Sequence, residues 1–137
     1  MAGKYDHINF KPPESVARAA ERGLELRRQQ PKSGKAGLDV KEAARQGIGS
    51  GVQRASDLKN RAMMSPQTIR RIRNYFSRHA KDYKLDPGKS PREDKGYVAG
   101  LLWGGEAGKS WANKVVNQMD AADRRSKLRN MIRARKG

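Results

Sequence analysis

The sequence predicts an all-α fold, a compact bundle of four to six short helices with flexible basic termini. Two patterns support this. Apolar residues recur at steps of three and four along several segments, as in amphipathic helices, and pairs such as Ser65-Pro66 mark helix beginnings. No segment shows the alternation of a convincing strand. Because only 35% of the 137 residues are apolar, the core must be small.

The chain divides into an arm, a body and a tail. Pro12 and Pro13 oppose a helix just before them, so the first residues are predicted to be extended. The predicted parts are an extended N-terminal arm (1–13), a single helical domain (14–123) with loops at 31–37 and 84–96, and a basic C-terminal tail (124–137).

The first helix is predicted from Glu14 to Gln30, since Pro31 ends it. Asp39 and Glu42 form a capping box and predict a second helix start, and glycines at positions 47, 49 and 51 interrupt the helical pattern after it. The apolar face of the first helix is Val16, Ala20, Gly23 and Leu24. A further helix from Val52 is expected to point Val52, Ala55 and Leu58 inward and Arg54, Lys59 and Arg61 outward.

The best-defined helix begins at Ser65. Ser65 is a favourable N-cap, and Pro66 suits the first helical position because its missing N–H has no partner to lose there. With 3.6 residues per turn, its apolar arc is Ile69, Ile72, Tyr75, Phe76 and His79. The opposite arc is basic, with Arg73 at its flank, and consists of Arg70, Arg71, Asn74, Arg78 and Lys81.

Two more helices are expected after the polar loop. Ser90, Pro91 and Glu93 form another capping box, and Gly104-Gly105 ends the helix that begins there. Its apolar residues are Val98, Leu101, Leu102 and Trp103, and those of the next helix, from Glu106, are Ala107, Trp111, Val115 and Met119. The tail has a weak apolar stripe of Leu128, Met131 and Ile132, so we expect it to become helical only when bound. The predicted core is Leu58, Ile69, Ile72, Phe76, Leu101, Leu102, Trp103, Trp111 and Val115.

No catalytic or metal-binding pattern stands out. The segment GGEAGKS at 104–110 approaches a phosphate-binding loop, but Trp103 occupies the place of that motif's first glycine and a helix precedes it. The chain has no cysteine and two histidines, of which His79 is interpreted as packed and His7 lies in the arm. Trp103 and Trp111 lie among apolar residues and are interpreted as core. We expect no enzyme activity, no metal and no cofactor.

Charge is the feature that points to a partner. The chain has 31 Lys and Arg against 14 Asp and Glu, a formal net charge of +17, and its last fourteen residues hold seven basic residues and no acidic one. A body this basic repels itself, and a polyanion relieves the repulsion most directly. We predict contacts to nucleic-acid phosphates and prefer them to insertion of the Ser65 helix into a groove. The predicted binding residues are Arg70, Arg71, Arg73, Arg78, Lys81, Arg124, Arg125, Lys127, Arg129, Arg133, Arg135 and Lys136.

Three stretches resemble a small basic domain that recurs in tailed bacteriophages, alone or attached to larger phage proteins. They are GIGSGVQRASDLKNR, SPQTIRRIRNYFSRHAKD and DKGYVAGLLWGGEAGKSWANKV, which run from residue 47 to residue 115, and the resemblance covers roughly residues 47–119. The signature is Ser-Pro, a basic-aromatic helix ending in Arg-His, Leu-Trp-Gly-Gly, then Gly-x-x-Trp-Ala. The matching residues are Ser65, Pro66, Phe76, Arg78, His79, Leu102, Trp103, Gly104, Gly105, Gly108, Trp111 and Ala112. The resemblance implies a phage origin, and it implies no activity.

The leading hypothesis is a non-enzymatic bacteriophage protein that binds nucleic acid mainly through phosphate contacts, with DNA preferred to RNA. One alternative is a small virion protein that binds an acidic surface of capsid, portal or neck proteins, and another is an anti-host effector that binds a bacterial enzyme. We expect the host cytoplasm as its location, with packaging in the virion as a second possibility. The first residues lack an apolar run of signal-peptide length, and the longest apolar stretch, at 97–103, is too short to span a bilayer, so a membrane is a disfavoured partner. The sequence does not define the oligomeric state.

Overall fold

The computed structural model describes residues 3–30, 51–79, 84–85 and 87–136. Several sequence predictions lie outside these residues. They are the 31–37 loop, the helix start at Asp39 and Glu42, the glycines at positions 47 and 49, and the basic residue Lys81.

The described part of the chain is all-α, which confirms the predicted fold class. Its five α-helices are α1 (Glu14–Arg28), α2 (Gly51–Lys59), α3 (Pro66–Arg78), α4 (Lys95–Leu102) and α5 (Gly105–Lys136), with a 3₁₀ turn at Pro91–Glu93 before α4. No strand occurs within the described ranges. None of the helices described there has the length and apolar character needed to cross a bilayer.

The N-terminal arm folds back onto the body instead of being extended. Residues 4–7 form turns, in which the N–H of Ile8 donates to the carbonyl of Tyr5 at 2.9 Å. The Ile8 side chain is buried, and the N–H of Met64 donates to the carbonyl of Phe10 at 3.0 Å. The two prolines do exclude a helix, as predicted, but they leave turns available, and burial of Ile8 favours them.

Helix α1 lies centrally, in contact with α2, α4 and α5. Val16 and Ala20 are fully buried, as predicted, whereas Leu24 is only half-buried. Gly23 permits the closest approach: a Cβ at this position would lie 2.8 Å from the backbone nitrogen of Leu102. Only glycine allows α1 and α4 to pack at this distance.

Helix α2 ends in a Schellman motif with Arg61 as its left-handed residue. Arg61 has φ 52°. Its N–H donates to the carbonyl of Leu58 at 3.0 Å, and the N–H of Ala62 donates to the backbone carbonyl of Asp57 at 2.9 Å. The sequence places Arg61 on the outward face of a helix, but it lies past the helix end. Its Nε donates to the carbonyl of Pro12 at 2.8 Å, so the side chain fastens the arm to the end of α2.

Arg54 on α2 also differs from its predicted outward position. Its side chain is only 12% exposed, and its guanidinium lies 3.4 Å from the Asp57 carboxylate. The guanidinium carbon lies 6.0 Å from the centre of the Trp103 ring. Its Nε has no hydrogen-bond partner, and burial lowers the pKa of the guanidinium. Periodicity within α2 did not reveal this burial because the covering Trp103 comes from a distant segment.

Helix α3 begins as predicted. The Ser65 hydroxyl accepts a hydrogen bond from the N–H of Thr68 at 3.1 Å, and Pro66 is the first helical residue. The four predicted apolar residues Ile69, Ile72, Tyr75 and Phe76 are buried. His79, by contrast, is the half-buried C-cap, with its ring 4.7 Å from that of Tyr75.

Helix α4 begins later than predicted. Ser90 makes no side-chain capping bond, and residues 91–93 form only the 3₁₀ turn. Asp94 is the true N-cap, because its carboxylate accepts from the N–H of Tyr97 at 3.1 Å. A proline at the first position suits either kind of helix, so the Ser90 signal did not distinguish them.

The glycine-rich segment at 104–110 separates α4 from α5, which agrees with its interpretation as a helix break. Gly104 and Gly105 have φ of 105° and 64°. A Cβ on Gly108 would lie 2.7 Å from the carbonyl oxygen of Trp103, so this glycine allows the turn to close tightly onto α5.

Helix α5 has 32 residues, a length of about 48 Å. The sequence predicts helix in the tail only on binding, whereas the structure continues α5 through Lys136. Ala122 is its last buried residue. Beyond it, Ser126 is half-buried and the other side chains described up to Arg135 are exposed, apart from the partly exposed Asp123, so the C-terminal part extends past the core.

The main core lies between α1, α2, α3 and α5, and it stabilises the fold by removing apolar surface from water. Trp103 is the one predicted core residue that remains half-buried, stacked on Tyr75 with ring centres 4.7 Å apart and planes 7° apart. The other predicted core residues are buried: Leu58, Ile69, Ile72, Phe76, Leu101, Leu102, Trp111 and Val115.

Candidate nucleic-acid interface

A cleft of about 370 Å³ lies between the folded-back arm and the C-terminal part of α5. We call it the arm–helix cleft. Its arm side is formed by Gly3, Lys4 and His7. Its helix side is formed by Ala122, Arg125, Ser126, Arg129, Asn130 and Arg133. Three of the predicted basic residues therefore line one concave surface together with Lys4, which the sequence did not single out.

The spacing of these residues follows from the helix. Arg125, Arg129 and Arg133 lie four residues apart, so they form a row along one side of α5. Each step along this row advances about 6 Å. No described carboxylate forms an ion pair with any of the three. The row therefore presents regularly spaced cations to the cleft.

Asp123 holds the arm against α5. Its carboxylate accepts a hydrogen bond from the Tyr5 hydroxyl at 2.7 Å and lies 3.0 Å from Lys4 Nζ. The hydrogen bond from Tyr5 is the larger cause, and the contact with Lys4 the next, of a lowered pKa at the Asp123 carboxyl. The contact with Asp123 in turn raises the pKa of the Lys4 ammonium. Asp123 thus fixes the cationic arm beside the cationic C-terminal part of α5.

His7 lies at the mouth of the cleft. Its Nε2 is 3.4 Å from an Nη of Arg125. A guanidinium has donors only, so this contact is a hydrogen bond when Nε2 is unprotonated. His7 therefore helps to orient the first cation of the row.

The basic arc of α3 is divided between two environments. Arg70 points at α5, where its guanidinium lies 3.2 Å from Asp120 and 3.5 Å from Asp123. Arg71 and Arg78 are exposed, while Arg73 is half-buried and donates to the Asn74 side chain at 3.5 Å. None of these arginines lines the arm–helix cleft. The expected uniform arginine face is thus interrupted at Arg70, which joins α3 to α5.

The remaining predicted residues lie around the rest of the projecting helix. Arg124, Lys127 and Arg135 are exposed but do not line the cleft, and Lys136 is the last residue of α5. Together with the row of three, they surround this part of α5 with positive charge.

The histidine and carboxylate side chains of the described residues form no dense cluster. No group of three or more histidine, aspartate or glutamate side chains there is placed to hold a metal ion. His7 contacts Arg125, and the ring of His79 packs on that of Tyr75. What the arrangement can do is bind anions.

No family model matches the chain, and neither the curated proteins nor the solved structures give a match. The binding function is therefore inferred from the charge and geometry of these residues, and the phage origin from the sequence resemblance.

Proposed function

We propose that this protein is a non-enzymatic nucleic-acid-binding protein of a bacteriophage, and that it binds DNA through phosphate contacts in the arm–helix cleft. The observation that carries the proposal is the convergence of cations from two distant segments. Lys4 comes from the arm, and Arg125, Arg129 and Arg133 come from α5. Phosphate recognition requires positive charge at fixed positions and no particular base.

The rigidity of the site supports the proposal. The cations of the row belong to a helix anchored in the core, and Tyr5 and Asp123 fix the arm beside it. A preformed site loses less conformational entropy on binding than a disordered basic tail does. The cleft therefore offers more than net charge alone.

An acidic protein surface is the alternative ligand, in a virion particle or on a host enzyme. The specific observation behind it is the exposure of Leu128, Met131 and Ile132 on the projecting helix, at 57%, 49% and 44%. Nucleic-acid phosphates do not use these apolar groups, whereas an acidic groove in a protein can cover them. Triple substitution of the three by alanine separates the two ligands, because it weakens protein capture and leaves DNA binding intact.

The salt dependence of DNA binding tests the proposed function. The full chain is titrated against labelled duplex and single-stranded DNA over a range of salt concentrations. Substitution of Arg125, Arg129 and Arg133 by glutamine should reduce the magnitude of the log–log slope by about 2.7 on duplex DNA, since each phosphate contact contributes about 0.9.

The matched control removes three charges elsewhere. Lys59, Lys89 and Lys95 are exposed and do not line the cleft, and their replacement by glutamine lowers the net charge equally. If both triple variants lose the same affinity, binding follows net charge and the cleft is not the site. If the full chain binds no DNA at all, the proposed function is wrong.

A further inference from the structure

A second cleft, of about 330 Å³, lies on the other side of His7. It is also formed between the arm and α5, but nearer the beginning of the helix, and its lining includes Lys11 and Pro13 of the arm and Trp111 and Lys114 of α5. We call it the Arg61 cleft, because Arg61 from the end of α2 forms a third side. His7 lines both clefts, so the two are neighbours along one helix.

The two clefts differ in chemistry. The arm–helix cleft is bordered mainly by charged and polar groups, whereas the Arg61 cleft combines cations with an apolar floor. This floor is the apolar part of the lining, and it includes Pro13 and Trp111, which is 8% exposed. Lys11, Arg61 and Lys114 lie around it. An apolar floor beside cations suits a flat group that carries an anion.

The charged neighbours of this cleft leave it basic. Among the described residues, Glu14 is the carboxylate that pairs with a cation of this cleft. One of its oxygens lies 3.9 Å from Arg61, and the other lies closer to Arg18, at 3.2 Å. No described carboxylate is within 4 Å of Lys11 or Lys114. A phosphate entering the cleft therefore meets two lysines that form no ion pair with the carboxylates of the described residues.

The backbone at Arg61 positions its side chain. Its φ of 52° is one that glycine adopts without cost, and an arginine there is strained. Such a conformation persists where the surrounding structure holds it in place. Here Nε is used in the bond to Pro12, which orients the guanidinium at the edge of the cleft.

We propose that the Arg61 cleft binds one unpaired nucleotide of a DNA strand, with its base against the apolar floor and its phosphate at Lys11, Arg61 and Lys114. The strand continues past His7 into the arm–helix cleft. This inference rests on the proposed function and specifies its ligand as single-stranded DNA. A duplex fits less well, because a paired base must leave its stack before it reaches the floor.

The dimensions of α5 agree with a single continuous strand. Lys114 and Arg133, the outermost α5 cations of the two clefts, are 19 residues apart in the sequence, or about 29 Å along the helix axis. This is more than a single phosphate group can cover. A strand of about 16 nucleotides, the upper end of common single-strand site sizes, is long enough to occupy both clefts.

The test compares a labelled oligothymidylate of about 16 nucleotides with a duplex of the same length, using fluorescence anisotropy and the full chain. We expect the single strand to bind about tenfold more tightly, since contact of one base with an apolar surface accounts for that ratio. Lys114→Gln and Lys11→Gln should each weaken binding of the single strand more than binding of the duplex, because only the single strand places a phosphate in the Arg61 cleft. Lys95→Gln, which removes a charge from α4 outside both clefts, should leave the preference for the single strand unchanged.

Tryptophan emission gives a second measurement. The chain has two tryptophans, so Trp103→Phe leaves Trp111 as the only source of tryptophan fluorescence. Addition of oligothymidylate should then quench or shift the Trp111 emission, whereas the duplex should do so only weakly.

The outcomes separate the two proposals. Equal affinity for both DNA forms, or equal effects of Lys114→Gln and Lys95→Gln, would overturn the Arg61 cleft as a nucleotide site while the phosphate-binding function stands. Failure to bind either form would overturn both.

Discussion

The hydroxyl of Tyr5 donates a 2.7 Å hydrogen bond to the carboxylate of Asp123, across 118 positions of sequence. This contact joins the beginning of the described chain to the point where α5 leaves the core. Both proposed clefts depend on it, because each has the arm as one wall. Local changes at this contact should therefore affect the arm before they affect the global fold.

Tyr5→Phe tests the attachment of the arm. The change keeps the ring, which packs near Phe10 with centres 6.2 Å apart, and removes only the hydroxyl. We expect the amide of Met64, which donates to the arm carbonyl of Phe10, to exchange about tenfold faster, as for the loss of one hydrogen bond. Hydrogen exchange monitored by NMR measures this. Unchanged protection at Met64 would show that the arm is held by Ile8 and Arg61 alone.

The pH dependence of stability follows from the Lys4–Asp123 pair. The folded pKa of Asp123 is lowered, so its contribution is complete above the unfolded value of about 3.9 and is lost as the pH falls through the lowered folded pKa. The folded pKa of Lys4 is raised, so its contribution is complete below the unfolded pKa and is lost as the pH rises through the raised one.

The corresponding variant is Asp123→Asn. Its melting temperature should lie below that of the parent near neutral pH, and the two should converge below about pH 3.9 as Asp123 becomes protonated in the parent. Thermal unfolding followed by circular dichroism over a pH series gives both curves. A constant difference down to acidic pH would mean that the asparagine acts through packing and not through charge.

Backbone strain at Arg61 is measured by comparing two variants. Arg61→Ala and Arg61→Gly both lose the bond to Pro12, but only glycine relieves the left-handed conformation. Arg61→Gly should therefore be more stable than Arg61→Ala, by about 1 kcal/mol. Urea unfolding of the two proteins provides the comparison, and equal stabilities would contradict a strained Arg61.

Gly23→Ala tests the close contact between α1 and α4. Helix propensity alone favours alanine by about 1 kcal/mol. The added Cβ would lie 2.8 Å from the backbone nitrogen of Leu102 and 3.0 Å from the carbonyl carbon of Leu101. Both are backbone atoms of α4, so neither can move aside. We expect net destabilisation of about 1–3 kcal/mol in urea unfolding. Stabilisation instead would mean that the two helices separate without cost.

The sequence was informative wherever the signal was local. Ser65 and Pro66 defined the start of α3, and the apolar spacing identified four of its buried residues. The same local rules misplaced the start of α4, because the signals at Ser90 and Asp94 overlap within five residues. Long-range contacts left no such signal: the burial of Arg54 under Trp103, and the two clefts beside the arm, depend on residues far apart in the chain.

The C-terminal part of α5 illustrates a different limit. Its weak apolar stripe gave no reason for an independent helix, and an isolated segment of that length is indeed marginal. It continues a helix that the core has already nucleated, however, so each added residue needs only propagation. Its composition is rich in arginine and lysine, which propagate helices well.

The projection of α5 also gives the molecule an electrical polarity. Residues 124–136 carry seven positive charges and no negative one, and they extend about 20 Å along the helix axis beyond the last core position. A charge concentrated at one end creates a dipole moment that turns the protein in the field of a polyanion during diffusion. Under the proposed function, the end of the molecule that holds the arm–helix cleft therefore reaches the DNA first. The association rate should fall steeply as salt shortens the range of the field, whereas the shape of the site does not change.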